Sequence, residues 1–153
     1  MELRPPPPAE KGLQMPAAKN VIALIRTVAP QAAKIAGPEL TKWLAKTKNR
    51  QALVESLKKS TSRLPAERLR ARIETTILVL ESIEENAPEP QRAAFADQAQ
   101  DRARRMLIKL DVPLGTRVER RDNVKAVSAA LAQLHADMNR ELDEPGSGEL
   151  TES

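Results

Sequence analysis

Histidine and cysteine, which supply many catalytic nucleophiles and zinc ligands, are almost missing from this chain. Its 153 residues include one histidine, His135, and no cysteine. A Cys–His pair, a thiolate metal site and a histidine-rich metal site are therefore excluded. His135 lies beside Leu134 at the edge of an apolar helix face, and this position predicts a partly exposed structural histidine.

Four glutamates could do acid–base or metal chemistry: Glu74, Glu81, Glu84 and Glu85. At helical spacing Glu74 and Glu81 share a face, and the other two lie beside Glu81. A di-metal site in a helical bundle needs Glu-x-x-His motifs on paired helices, and the chain has none. It also lacks a phosphate-binding glycine loop. We therefore predict a solvated acidic face, no metal, no cofactor and no enzymatic activity. A site built from Glu, Arg and Lys, which leaves no motif, stays open.

Short arginine clusters in residues 68–72, 102–105 and 117–121 could contact phosphates. Each cluster is interleaved with acidic residues, which is typical of a surface covered by salt bridges. Single-strand binding also relies on aromatic side chains that stack on bases, and only Trp43 lies in basic surroundings. Nucleic-acid binding through these cations is therefore the second alternative for the function.

The strongest functional pattern lies near the N-terminus. Residues 17–36 place their apolar side chains in one arc of a helix and their cations opposite, so we predict an amphipathic helix there. Residues 17–48 contain a single acid, Glu39, among several cations. We predict that this segment forms a contact surface, composed of Lys19, Ile22, Ile25, Arg26, Val28, Lys34, Ile35, Lys42, Trp43 and Lys46.

Three explanations fit this amphipathic segment. Its apolar face can dock in the groove of a partner protein, which is the leading hypothesis and describes a non-enzymatic interaction or regulatory module. Alternatively, the same helix can lie in an anionic membrane surface, where apolar insertion and charge attraction add. The third explanation is that the face packs on the protein's own core, as most amphipathic helices do.

Charge is unevenly distributed along the chain. Residues 1–64 hold 12 Lys/Arg and 4 Asp/Glu, a net charge of +8, whereas residues 65–153 hold 13 and 17, a net charge of −4. This contrast suggests different partners for the two parts. It divides the predicted domain, residues 17–143, into a basic front (residues 17–64) and a mixed-charge bundle (residues 65–143).

The composition predicts an all-α fold. Aromatic residues make up 1% of the chain, and five glycines are too few for a β-sandwich. Apolar periodicity and proline positions predict helices over residues 17–36, residues 38–62 with a break near Asn49, Pro65 to Asn86, Pro90 to Leu110, and from a capping box at Thr116 and Glu119 through the near-heptad series 124–142.

Four to five helices with short connections predict an antiparallel bundle. Residues 1–16, rich in proline, and the acidic residues 144–153 are predicted to be disordered tails. No segment has the roughly 20 apolar residues of a membrane span. The expected location is the cytoplasm, with peripheral association at the inner face of the membrane as the alternative. The sequence leaves the oligomeric state open.

Overall fold

The computed structural model describes Val21, Ala23, Ile25, Arg26 and residues 37–143. The predicted N-terminal arm (1–16) and C-terminal tail (144–153) lie outside these residues. The described part of the chain is all-α and contains no strand, which confirms the predicted fold class. Its helices are α1 (Gly37–Trp43), α2 (Thr47–Lys59), α3 (Pro65–Asn86), α4 (Pro90–Leu110) and α5 (Arg117–Met138), and a π-helical segment (Asn139–Asp143) follows.

The helix boundaries follow local signals in the sequence. Pro65 and Pro90 occupy the first positions of α3 and α4, where a missing N–H costs nothing. Thr116 and Glu119 form the predicted capping box of α5. The Glu119 N–H donates to Thr116 Oγ1 over 3.1 Å, and the Thr116 N–H donates to Glu119 Oε1 over 3.2 Å. The predicted bounds of α3 and α4 and the predicted start of α5 are confirmed, while α5 ends at Met138 and residues 139–143 continue as the π-helical segment.

The break in the predicted helix 38–62 falls at residues 44–46, slightly before Asn49. Lys46, the residue before α2, has extended backbone angles. The Asn49 side chain donates from Nδ2 to the backbone carbonyl of Trp43 over 2.8 Å. That carbonyl ends α1, where helix carbonyls lack partners within the helix, and it accepts from the Lys46 N–H over 3.3 Å as well as from Asn49.

Helices α3 and α4 run antiparallel, as two cross-links show. Arg70, near the start of α3, is ion-paired with Asp111, which directly follows α4. Further along, Gln100 Nε2 of α4 donates to Glu84 Oε1 of α3 over 2.7 Å. The connection between the two helices, residues 87–89, is short, which favours antiparallel neighbours.

Helices α4 and α5 are also antiparallel. Asn123, near the start of α5, donates from Nδ2 to the Lys109 carbonyl at the end of α4 over 2.9 Å. Arg102 of α4 is ion-paired with Asp137 near the end of α5 at 2.9 Å. Because α3 and α5 each oppose α4, they run parallel to one another.

Helix α3 is the centre of the bundle, as its apolar run predicts, and it packs against α1, α2, α4 and α5. The core is aliphatic apart from Trp43 and contains residues of every helix. On α5 the buried apolar side chains are Val127, Leu131, Leu134 and Met138 of the predicted series, and Val124 of that series is partly buried. Of the helices in the described residues, none combines the length and the apolar composition that a bilayer crossing requires.

Candidate interaction surface

Two of the predicted contact residues belong to the core. Ile25 has no exposed surface and Trp43 is 2% exposed. They share one apolar cluster with Leu40 and Leu44, so this face of the basic front packs on the bundle. Burial of apolar surface stabilises the fold by about 25 cal/mol per Å², which is the physical reason for the placement. The structure thus places Ile25 and Trp43 in the core and not on the exposed surface that the sequence predicted for them.

Five other predicted contact residues precede α1. Lys19, Ile22, Val28, Lys34 and Ile35 lie outside the side chains that the structure describes. Their assignment to a contact surface stays a prediction.

The cations of the same segment are on the outside. Arg26, Lys42, Lys46 and Lys48 are all exposed. Lys42 occupies the last turn of α1, where a positive charge interacts favourably with the helix dipole. Lys46 lies in the break, and Lys48 lies in the first turn of α2. We call Lys42, Lys46 and Lys48 the lysine surface, and the sequence analysis identified two of these three residues.

Glu39, the single acid of this segment, faces the interior of the protein, whereas the cations are exposed. Glu39 is 6% exposed and accepts two hydrogen bonds from Arg92 of α4. Arg92 Nε lies 2.6 Å from Glu39 Oε2, and its Nη1 donates to the Leu142 carbonyl over 2.6 Å. This bidentate geometry is the strong form of a charged hydrogen bond. It joins α1, the start of α4 and the π-helical segment, and it leaves the outer face of residues 37–48 positive.

A cluster of glutamates lies beside the lysine surface. Glu84 and Glu85 of α3 are exposed, and Glu81 is partly buried. Burial raises the pKa of Glu81, and Glu85 raises it further, while Arg104 and Lys48 act in the opposite direction. Lys48 is therefore close enough to influence this carboxyl. Glu84 and Glu85 form the exposed part of the predicted acidic face, and the charge of Lys48 acts on its partly buried member, Glu81.

The only histidine has a structural position, but it is more buried than the sequence predicts. His135 is 8% exposed, and its Nε2 lies 2.9 Å from Thr76 Oγ1 of α3. Because Thr76 donates its hydroxyl hydrogen to the Arg72 carbonyl, its oxygen must accept from Nε2–H. Burial, and then the charge of Arg72, lower the pKa of His135 to about 4. The imidazole is neutral and bonded within the core.

The side chains of the described residues offer little to a metal. No group of three or more metal-binding side chains is placed to hold an ion in this part of the chain. What these residues do form is a charged surface, supported from the interior by the ion pair of Glu39 with Arg92.

One surface feature has no counterpart among the predicted sites. A groove of about 370 Å³ lies between the end of α4 and the first half of α5. Its lining includes Met106, Lys109, Val112, Leu114, Ala126 and Ala130. The sequence signal was the alanine-rich stretch of α5, which marks a face of small side chains but does not show whether another helix covers it.

Comparison of the chain with known protein families, with curated protein sequences and with solved structures found no match.

Proposed function

We propose that this protein is a non-enzymatic interaction module that binds a partner protein through the lysine surface. One observation carries the proposal. In residues 37–48 the large apolar side chains (Leu40, Trp43 and Leu44) and the only acid, Glu39, are buried, while Lys42 and Lys46 are exposed. We therefore expect residues 37–48 to bind a partner through the charges of their lysines. The sequence pattern had instead suggested docking through an apolar face.

The neighbouring glutamates favour a protein as the partner. Lys48 adjoins Glu81, and Glu84 and Glu85 are exposed on the same helix as Glu81. A membrane surface or a nucleic-acid backbone presents one sign of charge, so it would be repelled by this cluster as it approached the lysines. A protein can present acids to the lysines and cations to the glutamates. Such complementarity increases both specificity and the association rate.

The membrane and nucleic-acid alternatives require different residues of this region to contact the partner. Insertion into a lipid surface requires Ile25, Leu40 and Trp43 to leave the core, which would expose their partners on α3. Nucleic-acid binding requires only the cations and becomes steeply weaker with added salt. Both alternatives can be tested with the same variants.

The experiment compares two charge reversals in the full chain. Lys42→Glu/Lys46→Glu reverses two of the three charges of the lysine surface, and Lys58→Glu/Lys59→Glu makes the same charge change at the other end of α2, where both lysines are also exposed. Each variant is immobilised and exposed to a nuclease-treated, membrane-free extract of the source cells. We expect a protein that is retained by the wild type and by the second variant but lost with the first. Thermal unfolding verifies that both variants are folded.

Two further probes separate the alternatives. A DNA duplex and vesicles containing phosphatidylserine are titrated with the wild type at low and high salt. Binding of either probe that depends on Lys42 and Lys46, without a protein that does so, would replace the proposal with the corresponding alternative. Equal retention of all proteins by both variants would refute the role of the lysine surface.

A further inference from the structure

The groove between α4 and α5 is an apolar depression in the surface. Its volume is about 370 Å³, and Met106, Val112, Leu114, Ala126 and Ala130 supply most of its lining. It lies at the end of the bundle where α4 finishes and α5 begins. This end is opposite the junction of α1 with the start of α4, where Arg92 holds Glu39.

The groove is open because of the residue types on its walls. Ala126 is exposed and Ala130 is partly exposed, and a side chain that ends at Cβ cannot reach across to α4. Val112, in the connection between the helices, keeps 48% of its surface exposed. Apolar atoms thus remain uncovered on a concave surface, which is where ligands and partner side chains commonly bind.

Positive charge borders the groove. Lys109 is part of its lining, and Arg120 donates to the carbonyl of Leu114, another lining residue, over 3.1 Å. Arg105 is exposed one turn before Lys109. Residues 105–125 contain six Lys/Arg and three Asp/Glu.

Two of these three acids already have partners. Asp111 is ion-paired with Arg70, and Glu119 is hydrogen-bonded in the capping box with Thr116. Asp122 is the third. The positive charges placed at the groove are those of Lys109 and Arg120, and they would attract carboxylates to the borders of an apolar site.

We propose that this groove binds an acidic peptide segment of another protein, with a leucine or isoleucine side chain in the depression and carboxylates beside Lys109 and Arg120. The concave apolar lining favours an inserted side chain, whereas a membrane requires apolar groups that protrude and a nucleic acid requires none. This site is separate from the lysine surface, so the inference goes beyond the proposed function and does not depend on it.

The test measures binding of short fluorescent peptides to the full chain. The probe EDLLED carries both acids and leucines, EDSSED lacks the apolar side chains, and KKLLKK reverses the charge. We expect EDLLED to bind and the two control peptides to bind at least about tenfold more weakly, because contacts at the centre of a site dominate its affinity. Binding should weaken when salt shortens the Debye length from about 30 Å at 0.01 M to about 3 Å at 1 M.

Matched variants locate the site. Ala126→Phe fills the groove, and Ala132→Phe places the same side chain on the exposed opposite face of α5. Lys109→Glu removes a bordering charge, and Lys125→Glu makes the same change outside the groove lining. We expect Ala126→Phe and Lys109→Glu to lower the affinity for EDLLED about tenfold, and their controls to leave it unchanged. Lys42→Glu/Lys46→Glu should also bind EDLLED normally, which separates this site from the lysine surface.

Several results would overturn the proposal. These are equal binding of EDLLED and EDSSED, equal effects of the paired variants, or no binding by a folded wild type. If Ala126→Phe instead converts a wild-type dimer into a monomer in sedimentation, the occupant is a second copy of this chain. If it abolishes binding to phosphatidylserine vesicles, the occupant is a lipid surface. Either result refutes the peptide assignment.

Discussion

The two ends of the bundle differ in which apolar and charged side chains they bury and which they expose. At the front end, formed by α1 and the start of α4, Trp43 and Leu40 are buried and the ion pair of Glu39 with Arg92 is buried with them. At the groove end, formed by the end of α4 and the start of α5, Val112 stays half exposed. Large side chains cover the front end, and alanines leave the groove end open.

This difference shows where each end can bind another molecule. In the described residues of the front end, Leu40 and Trp43 hold the bundle together, whereas Lys42 and Lys46 are exposed to a partner. The groove end still has apolar surface to offer, and it combines that surface with positive charge. Four changes test the contrast, from the largest expected effect on stability to the smallest.

The largest effect should follow loss of the tryptophan at the front end. Trp43→Ala removes a large side chain that is 2% exposed, and we expect a loss of about 4 kcal/mol in the free energy of unfolding. At the groove end, Ala126→Phe should cost only about 0.5 kcal/mol, mainly through helix propensity. Urea unfolding followed by circular dichroism measures both changes. Tryptophan fluorescence is unsuitable, because Trp43 is the only tryptophan and Trp43→Ala removes it. Equal effects would remove the distinction between a closed end and an open end.

The second test compares how much two ion pairs stabilise the protein: Glu39 with Arg92 in the interior, and Arg70 with Asp111 at the surface. Arg92→Met leaves Glu39 charged and buried, and we expect it to destabilise the protein by about 3 kcal/mol. The double variant Arg92→Met/Glu39→Met should recover most of that loss, since no charge is then left unpaired. Arg70→Met breaks the exposed pair with Asp111 and should have a much smaller effect. Unfolding curves of the variants compare the two pairs.

The third test uses pH, at the contact of α3 with α5 between the two ends. The pKa of His135 is about 4 in the folded protein and about 6.5 in the unfolded chain. The unfolded chain therefore takes up this proton first as pH falls. The contribution of His135 is complete above pH 6.5 and is lost on acidification to pH 4, by up to roughly 3 kcal/mol.

His135→Gln provides the comparison, because carboxyl groups also titrate as the pH falls. The difference in unfolding free energy between wild type and variant should change over this pH range in the direction that weakens the wild type. A constant difference would show that His135 has the same pKa in both states.

The smallest effect should come from the cap of α5 at the groove end. Thr116→Ala deletes the hydroxyl that accepts from the Glu119 N–H, and we expect a loss of about 1 kcal/mol. Thr61→Ala, at an exposed threonine outside any helix N-terminus, should change stability by less than about 0.5 kcal/mol. Thermal unfolding measures both changes. A loss as large as that of Trp43→Ala would mean that the groove end is as tightly coupled to the core as the front end.

Local signals in the sequence determined much of the fold. Prolines at the start of α3 and α4, the capping box at Thr116 and the 3- and 4-residue spacing of apolar side chains on α5 fix helices through contacts within a few residues. Such features depend on backbone geometry and nearby side chains, so they can be predicted without knowledge of the whole fold.

The sequence by itself thus determined the fold class, the bounds of α3 and α4, the start of α5, and the excess of cations near the N-terminus. Only the tertiary structure decided that Ile25 and Trp43 are core residues, that Glu39 meets Arg92 across 53 positions of the chain, and that a groove stays open beside Ala126. The physical reason is that an apolar helix face has the same pattern whether it meets another helix or a partner. Packing between residues far apart in the sequence decides what covers that face. A local sequence pattern contains no information about this packing.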